Sequence, residues 1–255
     1  MKTCTTAIKK GGQGKTAFTC LLGFDGARRG LRTLVIDFDD QGNSSFTLSD
    51  YDSGYSASRL FSGDVDGLRE HFANRDNSGL TLIHADDYLE NLTPDLAEQA
   101  LANLRASMEA LSEFFDVCFI DTAPNTNVPM LTAALVSDFL LSPIEVETYS
   151  LEGVKKLAKV VGDLREQNPE LEFIGMVPNR VDFRKPRHVA NLSDLRNSAF
   201  AELLAPIQLG SRDSIAESLG MKIPVWEIRK TAARQAVKEA KALGQYVFEK
   251  MEIAQ

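Results

Sequence analysis

The stretch that most constrains this chain is Lys9-Lys10-Gly11-Gly12-Gln13-Gly14-Lys15-Thr16. It follows an apolar-leaning start, Cys4 to Ile8, and precedes Ala17, Phe18, Leu21 and Leu22 in a helical pattern, so the order is strand, glycine-rich loop, helix. Glycines let consecutive backbone N–H groups turn inward around phosphate oxygens, and the following helix N-terminus adds partial positive charge at the same point. Lys15 then reaches the β- and γ-phosphates of a nucleotide, and the Thr16 hydroxyl is offered to Mg²⁺.

Two further stretches have the form such a loop requires. Leu34-Val35-Ile36-Asp37-Phe38-Asp39 is a continuous apolar run ending in carboxylates, as expected of a parallel strand whose carboxyl edge faces a ligand. Phe115-Asp116-Val117-Cys118-Phe119-Ile120-Asp121 repeats the pattern, and in a sheet of this type its last carboxylate stands beside the phosphate loop. There Asp121 accepts hydrogen bonds from Mg²⁺-bound water and from Thr16. The helix after the loop runs to about Arg28-Arg29 and stops at Gly30, a residue suited to a left-handed C-terminal cap. Leu80 to Ala85 reads as another strand, Asp95 to Phe114 as a helix, and Asp50 to Arg75, rich in Ser, Gly and Asp, as an exposed excursion with one or two short helices.

Composition excludes several classes. With 255 residues, 44% hydrophobic and 25% charged, the chain suffices for one α/β core, residues 1–255 as a single domain. No apolar run reaches the roughly 18 residues of a membrane span, and the N-terminus lacks the order of a signal peptide, so a cytoplasmic location is expected. Cys4, Cys20 and Cys118 have neither disulfide nor metal-site spacing. A net charge of −8 argues against general coating of nucleic acid, so any DNA contact must come from a local patch.

The first lysine-rich loop departs from the ordinary phosphate loop, since Lys9 stands where a glycine is usual. Lys10-Gly11-Gly12-x-Gly14-Lys15-Thr16 resembles the deviant Walker A box of the ParA/MinD group of P-loop ATPases. Asp37-Phe38-Asp39-Asp40-Gln41-Gly42-Asn43 is similar to that group's first switch, with Asp40 in place of proline, and Asp121-Thr122-Ala123-Pro124 matches its second. The resemblance implies a mostly parallel, twisted sheet flanked by helices on both faces, and ATP and ADP as ligands with Mg²⁺. It implies that Lys10 reaches across a homodimer interface to the partner's nucleotide, that Asp39 positions the attacking water, and that Asp37 supports the metal shell. Gly11, Gly12, Gln13, Gly14, Lys15, Thr16 and Ala17 then form the phosphate site, and Asn179, in Phe173 to Asp182, is the candidate for adenine contact. Phe139 to Glu145 and Tyr149 to Gly153 are similar to the strand and helix start after the second switch. Ile223 to Arg234 and Tyr246 to Gln255 resemble the IncC branch of the ParA class, found on IncP-type plasmids, whose partner is the ParB-like DNA-binding protein KorB. The chain opens directly on its first strand, so no N-terminal helix-turn-helix extension is expected.

Lys222 to Lys241 carries a net charge of +4, with Arg234, Lys238 and Lys241 at helical spacing and Ala233, Val237, Ala240, Gly244 and Val247 on another face. Resemblance to ParA proteins makes Arg229, Lys230, Arg234 and Lys238 candidates for nonspecific double-stranded DNA contact and for nucleoid association. Arg212, after an expected strand Ile207-Gln208-Leu209, is a further candidate by position, and Arg184-Lys185-Pro186-Arg187 is a second basic cluster. Two functions remain open: a DNA-partitioning ATPase, or a nucleotide-controlled recruitment switch of the same fold. The ending Phe248 to Gln255 is short and carries two glutamates, which disfavours a membrane-binding form of the second.

Overall fold

Apolar strands alternating with helices can pair only in parallel, because each crossover returns the chain to the same edge of the sheet. The computed structural model, which describes residues 1–7, 11–146 and 151–253, has this form. Lys10, Tyr149, Ser150 and the last two residues lie outside the described residues. The elements in chain order are β1 (Lys2–Thr6), α1 (Lys15–Arg28), β2 (Thr33–Phe38), α2 (Asn43–Thr47), β3 (Asp52–Ser56), α3 (Val65–Ala73), β4 (Leu80–His84), α4 (Ala97–Leu111), β5 (Val117–Thr122), α5 (Val128–Val136), β6 (Phe139–Glu145), α6 (Leu151–Gln167), β7 (Glu172–Asn179), α7 (Pro186–Arg196), α8 (Asp213–Gly220) and α9 (Ala233–Lys250). The seven strands form one sheet in the order β3-β4-β2-β5-β1-β6-β7, all neighbours parallel. The expected α/β fold is therefore the observed one.

The two-residue period of a strand divides the core between the faces. Val117 and Phe119 of β5 join Phe18, Leu21 and Leu22 of α1 and Leu243, Val247 and Phe248 of α9 on one face. Cys118 and Ile120 join Leu68 and Phe72 of α3 and Leu104 and Leu111 of α4 on the other. Helix α1 thus crosses the sheet with its N-terminus at the strands' carboxyl ends, the edge where ligands bind in open α/β sheets. It stops as expected: Gly30 takes φ +80°, and Leu31 N donates to the Gly26 carbonyl at 3.2 Å.

Two expectations are corrected. The segment from Asp50 to Arg75 holds an expected short helix, α3, but is no exposed excursion: it supplies the edge strand β3 and buries Tyr55, Leu60 and Phe72 completely. Its apolar residues are few and widely spaced, so its periodicity is faint, yet large side chains fall on the inner face. The strand expected at Ile207 to Leu209 is also absent. That segment runs beside β7 with only Met176↔Leu204 and Val181↔Gly210 as isolated bridges. Pro178 can accept from Leu209 N, at 2.9 Å, but has no N–H to return, so a ladder cannot propagate there.

Candidate functional site

The phosphate loop takes its shape from the strands beyond it. Gly12 and Gly14 have φ of +77° and +104°, in the left-handed region open to glycine. At Gly14 a Cβ would also lie 2.2 Å from Asn179 Nδ2, which donates to the Gln13 carbonyl at 2.8 Å. Arg180 Nη1 donates to the Gly12 carbonyl at 3.0 Å and to Glu145 Oε1 at 2.9 Å, while the buried Gln13 accepts from Glu145 N at 2.8 Å. The loop's carbonyls are thereby drawn toward β6 and β7. Among the described residues no partner takes the N–H groups of Gly11 to Lys15, which suits them to an anion.

Charges gather at the same edge. Asp37 and Asp121 are register partners at the ends of β2 and β5, and both are fully buried. Asp121 Oδ2 accepts from Ser44 Oγ at 2.7 Å, and Asp121 also accepts from the Thr16 hydroxyl. Asp37 Oδ2 accepts from Ser45 N and Oγ at 2.8 and 2.7 Å, and its Oδ1 from Asp39 N at 3.1 Å. Burial raises the pKa of both carboxyls, and the Asp121 charge raises Asp37 further. Asp39, 6% exposed, is also raised by burial, and its Oδ1 accepts from Gln41 N at 3.1 Å. Lys15, 5% exposed, is lowered by burial against the opposing pull of Asp121 and Asp39.

Three carboxylates facing one lysine leave an excess of negative charge, and a hydroxyl stands among them. That oxygen-only donor set fits a hard divalent cation. The described residues hold no group of three or more side chains poised to ligate a metal directly. Mg²⁺ keeps most of its waters and takes one or two protein oxygens beside substrate phosphates.

The cleft over the loop, about 520 Å³, is lined by Gly11, Thr16, Asp39, Phe46, Pro124 and Leu219 among others. A second hollow of about 250 Å³ adjoins it, walled by Ala17, Asn179, Gly210, Arg212 and Ile215. Phosphate loop, carboxylates, Ala17 and Asn179 are thus brought together, whereas Lys10 lies outside the described residues. Sequence reasoning missed Ser44 and Ser45, the hydroxyls that hold Asp121 and Asp37, and Arg180. Asn43-Ser44-Ser45 matches a glycosylation triplet by chance. The usable signal was two hydroxyls soon after a strand ending in carboxylates.

The expected DNA residues separate into groups. Arg229, Lys230 and Arg234 line one concavity of about 450 Å³ with Trp226, Ile228 and Val237. Lys238 is exposed one turn further along α9. Lys230 is ion-paired with Glu217 on α8. Arg212 stands apart: Nη2 and Nε pair with Glu239 Oε1 and Oε2 at 2.9 and 3.3 Å, beside the smaller hollow. Its guanidinium is paired within the chain while 34% of the side chain stays exposed, so the structure sets it apart from the residues around the Arg229 concavity.

Comparisons with known proteins agree with this geometry. A family model described as an AAA domain matches residues 1–173. The chain is 60% identical over 255 residues to Protein IncC of Escherichia coli, with 100% of this chain and 71% of that protein covered. It is 28% identical over 252 residues to the chromosome partitioning protein ParA of Caulobacter vibrioides, covering 94% of this chain and 93% of that one. An ATP complex of McdA from Cyanothece superposes with a TM-score of 0.78 at 22% identity, covering 100% of this chain and 98% of that chain. With the loop, the paired carboxylates and the sheet order agreeing, the chain belongs to the ParA/MinD-type P-loop ATPases and, within them, to the IncC proteins.

Proposed function

We propose that the chain is a plasmid-partition ATPase that dimerises with ATP, binds DNA without regard to sequence, and lets go when a ParB- or KorB-like partner stimulates hydrolysis. The observation that carries this reading is a phosphate cleft with buried charges and an exposed basic concavity on one chain that resembles IncC along its whole length. Gly11 to Ala17 hold the phosphates, and Lys15 supplies the in-site cation. Lys10 supplies a second cation to the partner subunit's nucleotide. Thr16, Asp37 and Asp121 hold Mg²⁺ and its waters, an ion that supplies charge neutralisation at the phosphates. Asp39 orients the attacking water. Asn179, already fixed on the loop, closes the base end of the cleft.

Arg229, Lys230, Arg234 and Lys238 meet the DNA backbone. Each subunit is net acidic, so one patch alone binds weakly and two patches on one duplex bind through avidity, which makes nucleoid association conditional on nucleotide. The test is a gel shift on random-sequence duplex with ATP, ADP and no nucleotide. A shift with ATP alone is expected. Equal affinity in all three states, or binding to anionic liposomes in place of DNA, would favour a recruitment switch.

A further inference from the structure

Where α1 ends against α9, another concavity of about 340 Å³ is lined by Arg28, Arg29, Lys241 and Gln245. Among the described residues no carboxylate lines it. Behind it lies Asp25, 1% exposed, whose Oδ1 accepts from Arg28 Nε and Nη2 at 2.8 and 2.6 Å and whose Oδ2 accepts from Arg29 Nε at 2.8 Å. One carboxylate shared by two guanidiniums leaves a positive charge uncompensated, and Lys241 adds another. The last carbonyls of α1 are already met by the N–H groups of Arg29, Gly30 and Leu31, so the helix end does not consume these cations. Among the described residues no hydrogen bond engages Arg28 Nη1, either Arg29 Nη atom or Lys241 Nζ.

The two guanidiniums are also held in place. Arg28 lies over the Trp226 ring at 5.6 Å and Arg29 over the Phe248 ring at 4.4 Å. Fixed side chains lose little conformational freedom when a ligand arrives. The close approach that brings α9 to them occurs at Gly244, where a Cβ would lie 2.2 Å from Asp25 Oδ2. Position does the rest. Arg234, Lys238, Lys241 and Gln245 share one face of α9, a stripe of about 16 Å at 1.5 Å per residue. Trp226, under Arg28, also lines the Arg229 concavity, so the two hollows are neighbours on the surface. The nucleotide loop is at the opposite end of α1, about 20 Å away, so this is not the nucleotide site.

We infer that Arg28, Arg29 and Lys241 form a second phosphate-binding site, which holds the backbone of the same DNA duplex beyond the Arg229 concavity. The inference rests on the partition reading. The duplex lies along α9, crossing from the Arg229 concavity to the end of α1.

The experiment measures affinity of the full chain, with ATP and Mg²⁺, for random-sequence duplex over a range of salt. Lys241→Ala removes an exposed cation, and Arg28→Gln leaves Arg29 to hold Asp25. With one cation fewer per subunit at the DNA backbone, each variant should flatten the log–log salt slope by about two per dimer and weaken binding by roughly 10-fold near 0.1 M salt. An unchanged slope in Lys241→Ala, while Arg229→Ala still weakens binding, overturns this site and leaves the partition reading standing. If the parent protein fails to bind duplex with ATP, the partition reading itself falls, and the site with it. Phosphatidylglycerol vesicles form the last arm: loss of vesicle binding in Lys241→Ala with an unchanged DNA slope overturns the assignment in favour of lipid phosphate.

Discussion

The nucleotide cleft and the basic surface both collect charge, but they collect it in opposite ways. In the cleft Lys15, Asp37, Asp39 and Asp121 are almost fully buried, and each carboxylate has a named donor. On the surface Arg229, Lys230, Arg234 and Lys238 are exposed, and solvent satisfies what the protein does not. Buried charge is costly unless partnered, so the cleft tolerates few alternatives at any position. Exposed charge is nearly free, and the surface can work by sum and spacing. A single substitution should therefore be severe in the first region and graded in the second.

Lys15→Ala should have the largest effect. It leaves three buried carboxylates without their cation, a loss of about 3 kcal/mol or more, so nucleotide affinity should fall by over 10²-fold in a fluorescent-nucleotide titration. Near-parental affinity would break the contrast at its strongest point. Asp39→Ala comes next. It should slow ATP turnover by about 10²-fold and leave ATP binding in place, because a carboxylate that orients water matters in the transition state and little in the ground state. Loss of binding in this variant, with turnover per bound nucleotide intact, would give Asp39 a different role.

The same contrast explains what was legible in the sequence. Lys15 could be found from the glycine-rich loop before it, and Asp37, Asp39 and Asp121 because a polar residue at the end of an apolar run is conspicuous, and strand ends are where a parallel sheet meets its ligand. Gly30 marked the end of α1 for an equally local reason, its positive φ. Ser44 and Ser45 were not legible: their partners lie 77 and 8 residues away, and a serine pair in a loop has many uses. Nor was β3, whose inward residues Ser53 and Tyr55 include one polar side chain. Among the surface cations the sequence could not separate Arg212 from Arg229, because whether an arginine is free depends on an acid elsewhere, here Glu239, 27 residues on.

Ser44→Ala tests whether the residues that support the cleft's carboxylates share its severity. The variant leaves one oxygen of fully buried Asp121 without its hydroxyl donor, which should cost about 1–3 kcal/mol in a denaturant titration. An unchanged midpoint would mean that Thr16 and the Thr122 N–H suffice for Asp121, and the cleft would be more tolerant than its burial implies.

The smallest effects are expected on the surface, and the pair Arg229→Ala and Arg212→Ala is the sharpest way to measure them. Arg229 lines an open concavity and has no acidic partner among the described residues, so its loss should weaken binding to all duplexes alike and flatten the salt slope by about two per dimer. Arg212 has the same formal charge, but its guanidinium is spent on half-buried Glu239. Its removal uncovers that carboxylate, so the response should appear as a lower thermal midpoint and a disturbed base end of the nucleotide hollow, with the salt slope kept. If both variants flattened the slope equally, the ion pair would have to open on DNA, and paired and unpaired cations would differ less here than their surroundings imply.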